Sequence, residues 1–150
     1  MRIVYKILAY AVAVEVAVQA TVIVLGFAGL GKWVSDGNVF DKAVMESDDL
    51  PFPEVVGIIV HGINGGIVIP VIALLLLIVS FFARITGGVK FAAFVLLLVA
   101  AQAMLGYAAH DLPWLGGLHG LNAMALFVVA LHAARRARPV TADAPASATV

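Results

Sequence analysis

Cysteine is absent from this chain of 150 residues, and charged residues are scarce. The lack of cysteine excludes disulfides, thiolate metal sites, iron–sulfur clusters and covalently attached c-type haem. Charged residues make up 12% of the chain, about half of the roughly 25% that is usual in soluble domains. The sequence also has no phosphate-binding loop, no nucleophile triad and no basic patch for nucleic acid, so nucleic acid is not an expected partner.

Long apolar stretches are what the chain has in abundance, since 63% of its residues are hydrophobic. Four stretches reach the length of about 20 residues that crosses a bilayer. They run over about 3–30, 55–82, 89–109 and 115–134. We therefore predict an all-α fold, an integral membrane antiparallel four-helix bundle over residues 1–138 in contact with the lipid bilayer. The last residues, 139–150, are rich in Ala, Pro, Ser and Thr and predict a disordered cytoplasmic tail.

The distribution of basic residues predicts the orientation of the four helices. If the N-terminus is cytoplasmic, seven of the nine basic residues face the inside: Arg2, Lys6, Arg84, Lys90, Arg135, Arg136 and Arg138. The outer loop, 31–54, then has six acidic residues against Lys32 and Lys42. Both termini are expected in the cytoplasm, and the protein is expected in the cell membrane.

One short motif occurs twice, as His61-Gly-Ile-Asn64 and as His119-Gly-Leu-Asn122. A small residue, Gly65 or Ala123, follows each copy. Histidine and asparagine three positions apart lie on one helix face. With a rise of about 1.5 Å per residue, the two histidines lie roughly 12 Å and 9 Å inside the outer ends of their helices. Both imidazoles are therefore expected at one level of the bundle, near the outer face.

Two histidines at one level on neighbouring helices suit the axial ligation of one b-type haem. We predict His61 and His119 as the two iron ligands, with nearby small residues leaving room for a flat macrocycle. Asn64 and Asn122 are expected to orient a ligand or to bond across the bundle, as outer partners of metal-bound histidines do. Propionates at the acidic outer face would need a cation, and Lys32 is the candidate.

Two other interpretations of the same residues stay open. Histidine and asparagine also serve as hydrogen-bonding contacts between membrane helices, at about 0.6 to 2 kcal/mol each, without any cofactor. Another ligand, such as a quinone or a metal ion, is the second alternative. Glu15 and Gln19 lie one turn apart on the first helix, and Gln102 lies within the third. An intramembrane carboxyl group is a functional candidate, and Glu15 is otherwise expected to bond to Gln102 or to an asparagine.

The stretch from Gln102 to Arg136 resembles a helix pair in the heme A synthase family. The shared features are a Gln-x-x-Leu-Gly helix, a short outer turn and a Leu-His-x-x-x-Ala helix. The resemblance implies a four-helix half of that family, with His61 and His119 at haem-ligand positions. The chain is also similar to small actinobacterial four-helix membrane proteins with a Leu-His-x-x-Asn pattern in the last helix.

Departures from the heme A synthase pattern limit what the resemblance implies. The chain lacks a second four-helix unit and a paired-cysteine loop, and Ile58 stands where a Glu-x-x-His motif would place its acid. Because two axial histidines leave no site for oxygen, we expect electron transfer or haem handling rather than catalysis. The alternative is a cofactor-free accessory or assembly subunit that contacts a membrane protein complex through its acidic outer loop.

Overall fold

The computed structural model describes residues 1–137 and shows only helices, turns and loops within that range. Four helices are long and apolar enough to span a membrane. The first is α1, Arg2–Ser35, and the second consists of α3, Val55–Ile63, a π-helical turn, Asn64–Val68, and α4, Ile69–Ala83. The third is α5, Gly88–Ala108, and the fourth is α6, Leu115–Arg136. The predicted tail over 139–150 lies outside the described residues.

The first helix is five residues longer than its sequence predicts. The apolar stretch predicts an end near residue 30, where Gly29 and Gly31 are typical of a turn, but α1 continues to Ser35. Gly29 lies against the side chain of Glu54, so the missing side chain serves close packing rather than a turn. The loop between the first two long helices is therefore shorter than the predicted 31–54. It also contains a one-turn helix, α2, Lys42–Met45, whose N-terminus is capped by the Asp41 carboxylate.

Proline changes the second long helix without ending it. Pro70 has no N–H to donate and would clash with the carbonyl one turn earlier. The helix accommodates this by a π-helical turn, Asn64–Val68, in which the Ile69 N–H donates to the Asn64 carbonyl five residues back. The sequence predicts a kink at Pro70, and the irregularity lies in the turn before it. Such π turns are frequent at functional sites.

The molecule has two ends. The terminal end carries the start of α1 and the end of α6, and the loop end carries the loop between the first two long helices. At the terminal end, Arg2 donates to the Arg84 carbonyl and the Tyr5 hydroxyl donates to the Gly88 carbonyl. At the loop end, Trp33 stacks against Phe52 with ring centroids 5.8 Å apart. Helix α1 packs against α3, α4 and α6, and α5 packs against α4 and α6. Every helix of the four therefore contacts its neighbours in chain order, and the first contacts the last.

The hydrophobic core lies almost entirely in the half nearer the terminal end, which we call the terminal half. Its largest fully buried side chains are Tyr5, Leu76, Leu126, Val12 and Val95. Alanines fill much of the remaining space: Ala9, Ala13, Ala73, Ala92, Ala130, Ala133 and Ala134. Small residues let helices approach closely, and dispersion contacts between them then hold the helices together in lipid.

The other half, which we call the loop half, is packed in a different way. Helices α1 and α3 meet through glycines, and a side chain on Gly57 would collide with the Val22 carbonyl. A side chain on Gly26 would likewise collide with Ile58. Between α3 and α6, however, no extensive contact forms within residues 1–137. In the loop half, α1 therefore packs closely on α3 and α5 packs on α6, while α3 and α6 make little contact with each other.

Candidate functional site

Seven polar side chains lie between the two halves, and we call them the polar layer. They are Glu15 and Gln19 on α1, His61 on α3, Asn64 at the π turn, Gln102 on α5, and His119 and Asn122 on α6. On every helix the core residues stop before this layer: they end at Ala13 on α1 and Val99 on α5, and begin at Ile69 on α4 and Leu126 on α6. The polar layer is thus the boundary of the packed core.

The structure brings the two histidines of the repeated motif together across the molecule. The ring centroids of His61 and His119 are 6.1 Å apart, and the ring planes are inclined by 57°. Both side chains are half-buried, and neither points away from the other helices. The two rings therefore lie next to each other although α3 and α6 make little other contact.

Each histidine has its Nδ1 atom close to a backbone carbonyl oxygen of the helix beside it. His119 Nδ1 lies 3.0 Å from the carbonyl oxygen of Gln102 on α5. His61 Nδ1 lies 3.3 Å from the carbonyl oxygen of Gln19 on α1. A carbonyl oxygen only accepts, so the Nδ1 of His119 carries the proton and its Nε2 keeps a free lone pair. That is the arrangement that outer partners impose on metal-binding histidines.

The two asparagines of the motif bond to the same neighbouring helices. Asn64 donates to the Glu15 carboxylate at 2.7 Å. Asn122 donates to the side-chain oxygen of Gln102 at 2.6 Å and to the Leu98 carbonyl at 2.9 Å. Glu15 therefore bonds to an asparagine, one of the two partners expected for it. In both copies of the motif the histidine and the asparagine contact a neighbouring helix that carries a glutamine, α1 in the first copy and α5 in the second.

The Gln19 carboxamide inserts between two backbone groups of the helix that carries His61. One end of the amide group lies 3.1 Å from the His61 carbonyl oxygen and 2.6 Å from His61 Nδ1. The other end lies 3.0 Å from the backbone nitrogen of Gly65 and 3.0 Å from Asn64 Nδ2. In a regular α-helix the Gly65 N–H would donate to the His61 carbonyl. The carboxamide meets both groups at the start of the π turn, and such insertion of a side chain is a known cause of helix irregularity.

Hydrogen bonding of the fully buried side-chain atoms is complete within the described residues. No buried side-chain nitrogen or oxygen among them lacks a partner. Gln19, the most deeply buried member, is 8% exposed. Buried polar groups that are fully bonded make helix contacts specific and rigid. Over residues 1–137, no group of three or more histidine, cysteine, aspartate or glutamate side chains is placed to hold a metal ion. Within the part of the layer that the structure describes, the His61 and His119 imidazoles are the pair of neighbouring side chains that could ligate a metal through nitrogen.

Small residues leave space beside the two rings. No atom lies within 4 Å of where a side chain would begin on Gly62, Gly116, Gly117 or Gly120. In contrast, a side chain on Gly106 would press on the His119 ring at 3.1 Å. Gly65 lies against the Gln19 amide, and Ala123 is half-buried on α6. The four open glycines are exposed, so they add no side-chain bulk to the surface of α3 and α6 near the two histidines.

Lys32 and the two remaining histidines of the chain, His110 and His132, lie away from the histidine pair. Lys32 follows Gln19 by about 20 Å along α1, given 1.5 Å per residue, and forms an exposed ion pair with Asp36 at 2.7 Å. His110 is exposed in the turn after α5. His132 lies near the terminal end, where Arg136 donates to it and Phe91 packs on its ring. None of the three contributes to the polar layer.

The relation of Gln19 to His61 is the part of the site that sequence reasoning missed. The sequence singles out Gln19 only as a neighbour of Glu15 on one face of α1. The available signal is Gly65-Gly66 followed by Pro70 in a long apolar helix, a pattern that weakens regular helical bonding. It indicates that the helix is open to a polar side chain, but it does not say which one enters.

Comparisons with family models, with curated proteins and with solved structures found no match to this chain. The resemblance to the heme A synthase family, which is based on short motifs, therefore stays a hypothesis. The functional interpretation depends on the geometry of the polar layer alone.

Proposed function

We propose that this chain is an integral protein of the cell membrane whose four long helices form an antiparallel bundle with both termini in the cytoplasm. Its helices have the required length and hydropathy. Large apolar side chains cover their outer surfaces, for example Val24 at 67% exposure, Phe81 at 63% and Leu97 at 62%. Such an extensive apolar surface would be unfavourable in water and is suited to lipid.

Within this bundle we propose a binding site for one b-type haem, with His61 and His119 as its axial ligands. The observation that supports the proposal is the 6.1 Å separation of the ring centroids. A metal–imidazole bond of about 2 Å, plus about 1.2 Å from nitrogen to centroid, puts two such rings roughly 6 Å apart on one metal ion. The separation of the rings fits that value.

The residues around the rings fit the requirements of a haem in three respects. His119 presents a free Nε2, because its Nδ1 donates to the Gln102 carbonyl. Glycines next to both histidines in the chain, Gly62 and Gly120, place no side chain beside them and have no atom within 4 Å of where one would begin. Third, no carboxylate or thiolate joins the two imidazoles at ligand distance within residues 1–137, which disfavours a tetrahedral zinc site.

A haem held by two histidines supplies reversible one-electron chemistry. If His61 and His119 both held the iron, no coordination position would remain for oxygen, so the proposed role is electron transfer or haem handling and not catalysis on oxygen. The protein's contribution is to fix both rings from outside: backbone carbonyls of α1 and α5 contact the Nδ1 atoms, and the asparagines tie α1 to the π turn and α5 to α6.

The test is a reduced-minus-oxidised visible spectrum of the protein purified in detergent from haem-supplemented cells. We expect sharp low-spin bands in the wild type and their loss in His61→Ala and in His119→Ala. His110→Ala and His132→Ala are matched controls, since both residues lie outside the polar layer, and they should keep the bands. A colourless wild type, or bands that survive both ligand substitutions, would contradict the proposal.

The completeness of the hydrogen bonding favours one second candidate. A polar layer with every buried group satisfied can connect helices without any cofactor. In that case the chain would be an accessory or assembly subunit whose acidic loop contacts a membrane complex. The same spectrum separates the two: a folded wild type that stays colourless after haem addition supports the subunit.

A further inference from the structure

We propose that Gln19 is a positioning residue that sets the tautomer of His61, so that the two histidines of the site are chemically different before anything binds. The inference deepens the proposed function, but it concerns where a proton sits and is testable without haem. It follows from the position of the Gln19 carboxamide between His61 and the π turn.

The orientation of the carboxamide is determined by its four neighbours. Next to one end lie the His61 carbonyl oxygen, which only accepts, at 3.1 Å, and His61 Nδ1 at 2.6 Å. Next to the other end lie two donors, the Gly65 N–H and the Asn64 amide, each at 3.0 Å. With its nitrogen towards His61 and its oxygen towards Gly65, Gln19 makes hydrogen bonds to all four. In the reverse orientation the amide oxygen would face the His61 carbonyl oxygen, and the amide nitrogen would face the N–H groups of Gly65 and Asn64.

This orientation makes His61 Nδ1 an acceptor. The amide nitrogen is 2.6 Å away, whereas the alternative partner, the Gln19 carbonyl oxygen, is 3.3 Å away. A neutral imidazole has one donor and one acceptor nitrogen, so His61 carries its proton on Nε2. His119 carries its proton on Nδ1, because only a carbonyl oxygen faces that atom. The difference arises because His119 meets only the backbone carbonyl of Gln102, whereas His61 meets both the backbone carbonyl and the side-chain amide of Gln19.

The consequence for ligand binding is that only His119 is ready to coordinate through Nε2. His61 must first move its proton to Nδ1, and the Gln19 amide must then turn its oxygen towards that nitrogen. Turning the amide breaks its bonds to the His61 carbonyl and to Gly65 N–H, at the start of the π turn. Binding at His61 is therefore coupled to the backbone of the second long helix, and binding at His119 is not.

The experiment is nitrogen NMR of the ligand-free full chain in detergent, with ¹⁵N-labelled histidine, at a pH of about 8.5, above the ordinary histidine pKa of about 6.5. Protonated and bare ring nitrogens have well-separated shifts, and His→Ala variants assign the four rings. We expect His61 mainly as the Nε2–H tautomer and His119 mainly as the Nδ1–H tautomer. In Gln19→Leu, His61 should switch to Nδ1–H, with the carbonyl of residue 19 as its acceptor.

Two further variants complete the test. Gln102→Leu is the matched control, because it leaves the carbonyl that holds His119 in place, and its His119 tautomer should not change. Gln19→Glu retains an oxygen for Gly65 N–H, should fold if the leucine variant does not, and should also give Nδ1–H at His61. If wild-type His61 is already Nδ1–H, or if neither Gln19 variant changes its tautomer, the inference is wrong.

A haem readout then separates this inference from the proposed function. If haem binds, Gln19→Glu should lower the reduction potential, since a carboxylate on Nδ1–H makes the imidazole a stronger electron donor, whereas Gln102→Glu should lower it less. If haem does not bind to the wild type, the proposed function fails while the NMR result still decides the role of Gln19. An unchanged potential in Gln19→Glu would contradict the coupling of Gln19 to the His61 ligand.

Discussion

The terminal half and the loop half are built from the same four helices but use small residues for opposite purposes. In the terminal half, alanines such as Ala73 and Ala130 are fully buried and bring helices into contact. In the loop half, glycines such as Gly62 and Gly120 face open space. The comparison teaches that a sequence rich in small residues does not by itself indicate tight packing. Beyond the polar layer, small residues have two different surroundings: Gly26 and Gly57 lie in the close α1–α3 contact, whereas Gly62 and Gly120 are exposed.

Polar groups follow the same division. The terminal half has few buried polar groups, such as Ser80, which donates to the Leu77 carbonyl of its own helix. The polar layer instead uses side chains that bond between helices, at a depth where no bulk water is expected. Unpaired polar groups in hydrocarbon are costly, so these side chains hold the helices in one register. Stability is therefore expected to depend mainly on the terminal half, and binding on the layer.

The largest effect on stability is expected from the core of the terminal half. Leu76 is fully buried, and Leu76→Ala should lower the free energy of unfolding by about 2 to 5 kcal/mol, because it leaves a cavity. The control is Leu97→Ala, on a side chain that is 62% exposed, which should change it by much less. Denaturant titration in detergent measures both. Equal effects of the two substitutions would mean that this core does not determine stability.

A pair of glycines sharpens the contrast within the loop half. Gly57→Ala should destabilise the protein by about 1 to 3 kcal/mol, since the added carbon meets the Val22 backbone carbonyl, which cannot give way easily. Gly62→Ala, five residues on in the same helix, adds a carbon in open space and should be neutral or stabilising by up to about 1 kcal/mol. Thermal unfolding of both variants is the measurement. The opposite order would show that the surroundings of Gly62, and not the α1–α3 contact, are closely packed.

A smaller effect is expected from the asparagines of the polar layer. Asn122→Ala removes the bonds to Gln102 and Leu98, and should lower stability by about 0.6 to 2 kcal/mol. Asn64→Ala should have a similar effect through Glu15. If either substitution destabilised the protein as much as Leu76→Ala, the assignment of stability to the terminal half would be wrong. Denaturation curves recorded side by side decide this.

The smallest effect is expected from Lys32. Its ion pair with Asp36 is exposed and joins residues one helical turn apart, so Lys32→Gln should change stability by no more than about 0.5 kcal/mol. Lys32 also lies about 20 Å from the level of Gln19 at 1.5 Å per residue, so haem content should not change. Loss of haem in this variant would mean that the cofactor lies much nearer the loop end than the histidines indicate.

Most of the architecture could be predicted from hydropathy. Four apolar stretches of about 20 residues or more predict four long helices, and the structure has four helices of that length and hydropathy. The repeated motif located His61 and His119, since a three-residue spacing fixes a shared helix face. The end of α1 was missed because Gly29 looks like a turn residue in the sequence, and only its contact with Glu54 shows why the helix continues.

What could not be predicted are contacts between residues far apart in the chain. The entry of Gln19 into the π turn depends on the register of α1 against α3, which the spacing within either helix does not determine. Pro70 indicated an irregularity but not its type. The proposed difference between the two histidines also arises from contacts between distant residues. The two similar motifs meet different atoms of Gln19 and Gln102.

The most direct test of the central claim is titration of the purified, ligand-free protein with haemin, followed by absorbance. If His61 and His119 are the axial ligands of one haem, the titration should break at one haemin per chain and give a six-coordinate, low-spin spectrum. The double variant His61→Ala, His119→Ala should show no such break. A titration without a break, or a five-coordinate spectrum that is the same in the double variant, would contradict the claim.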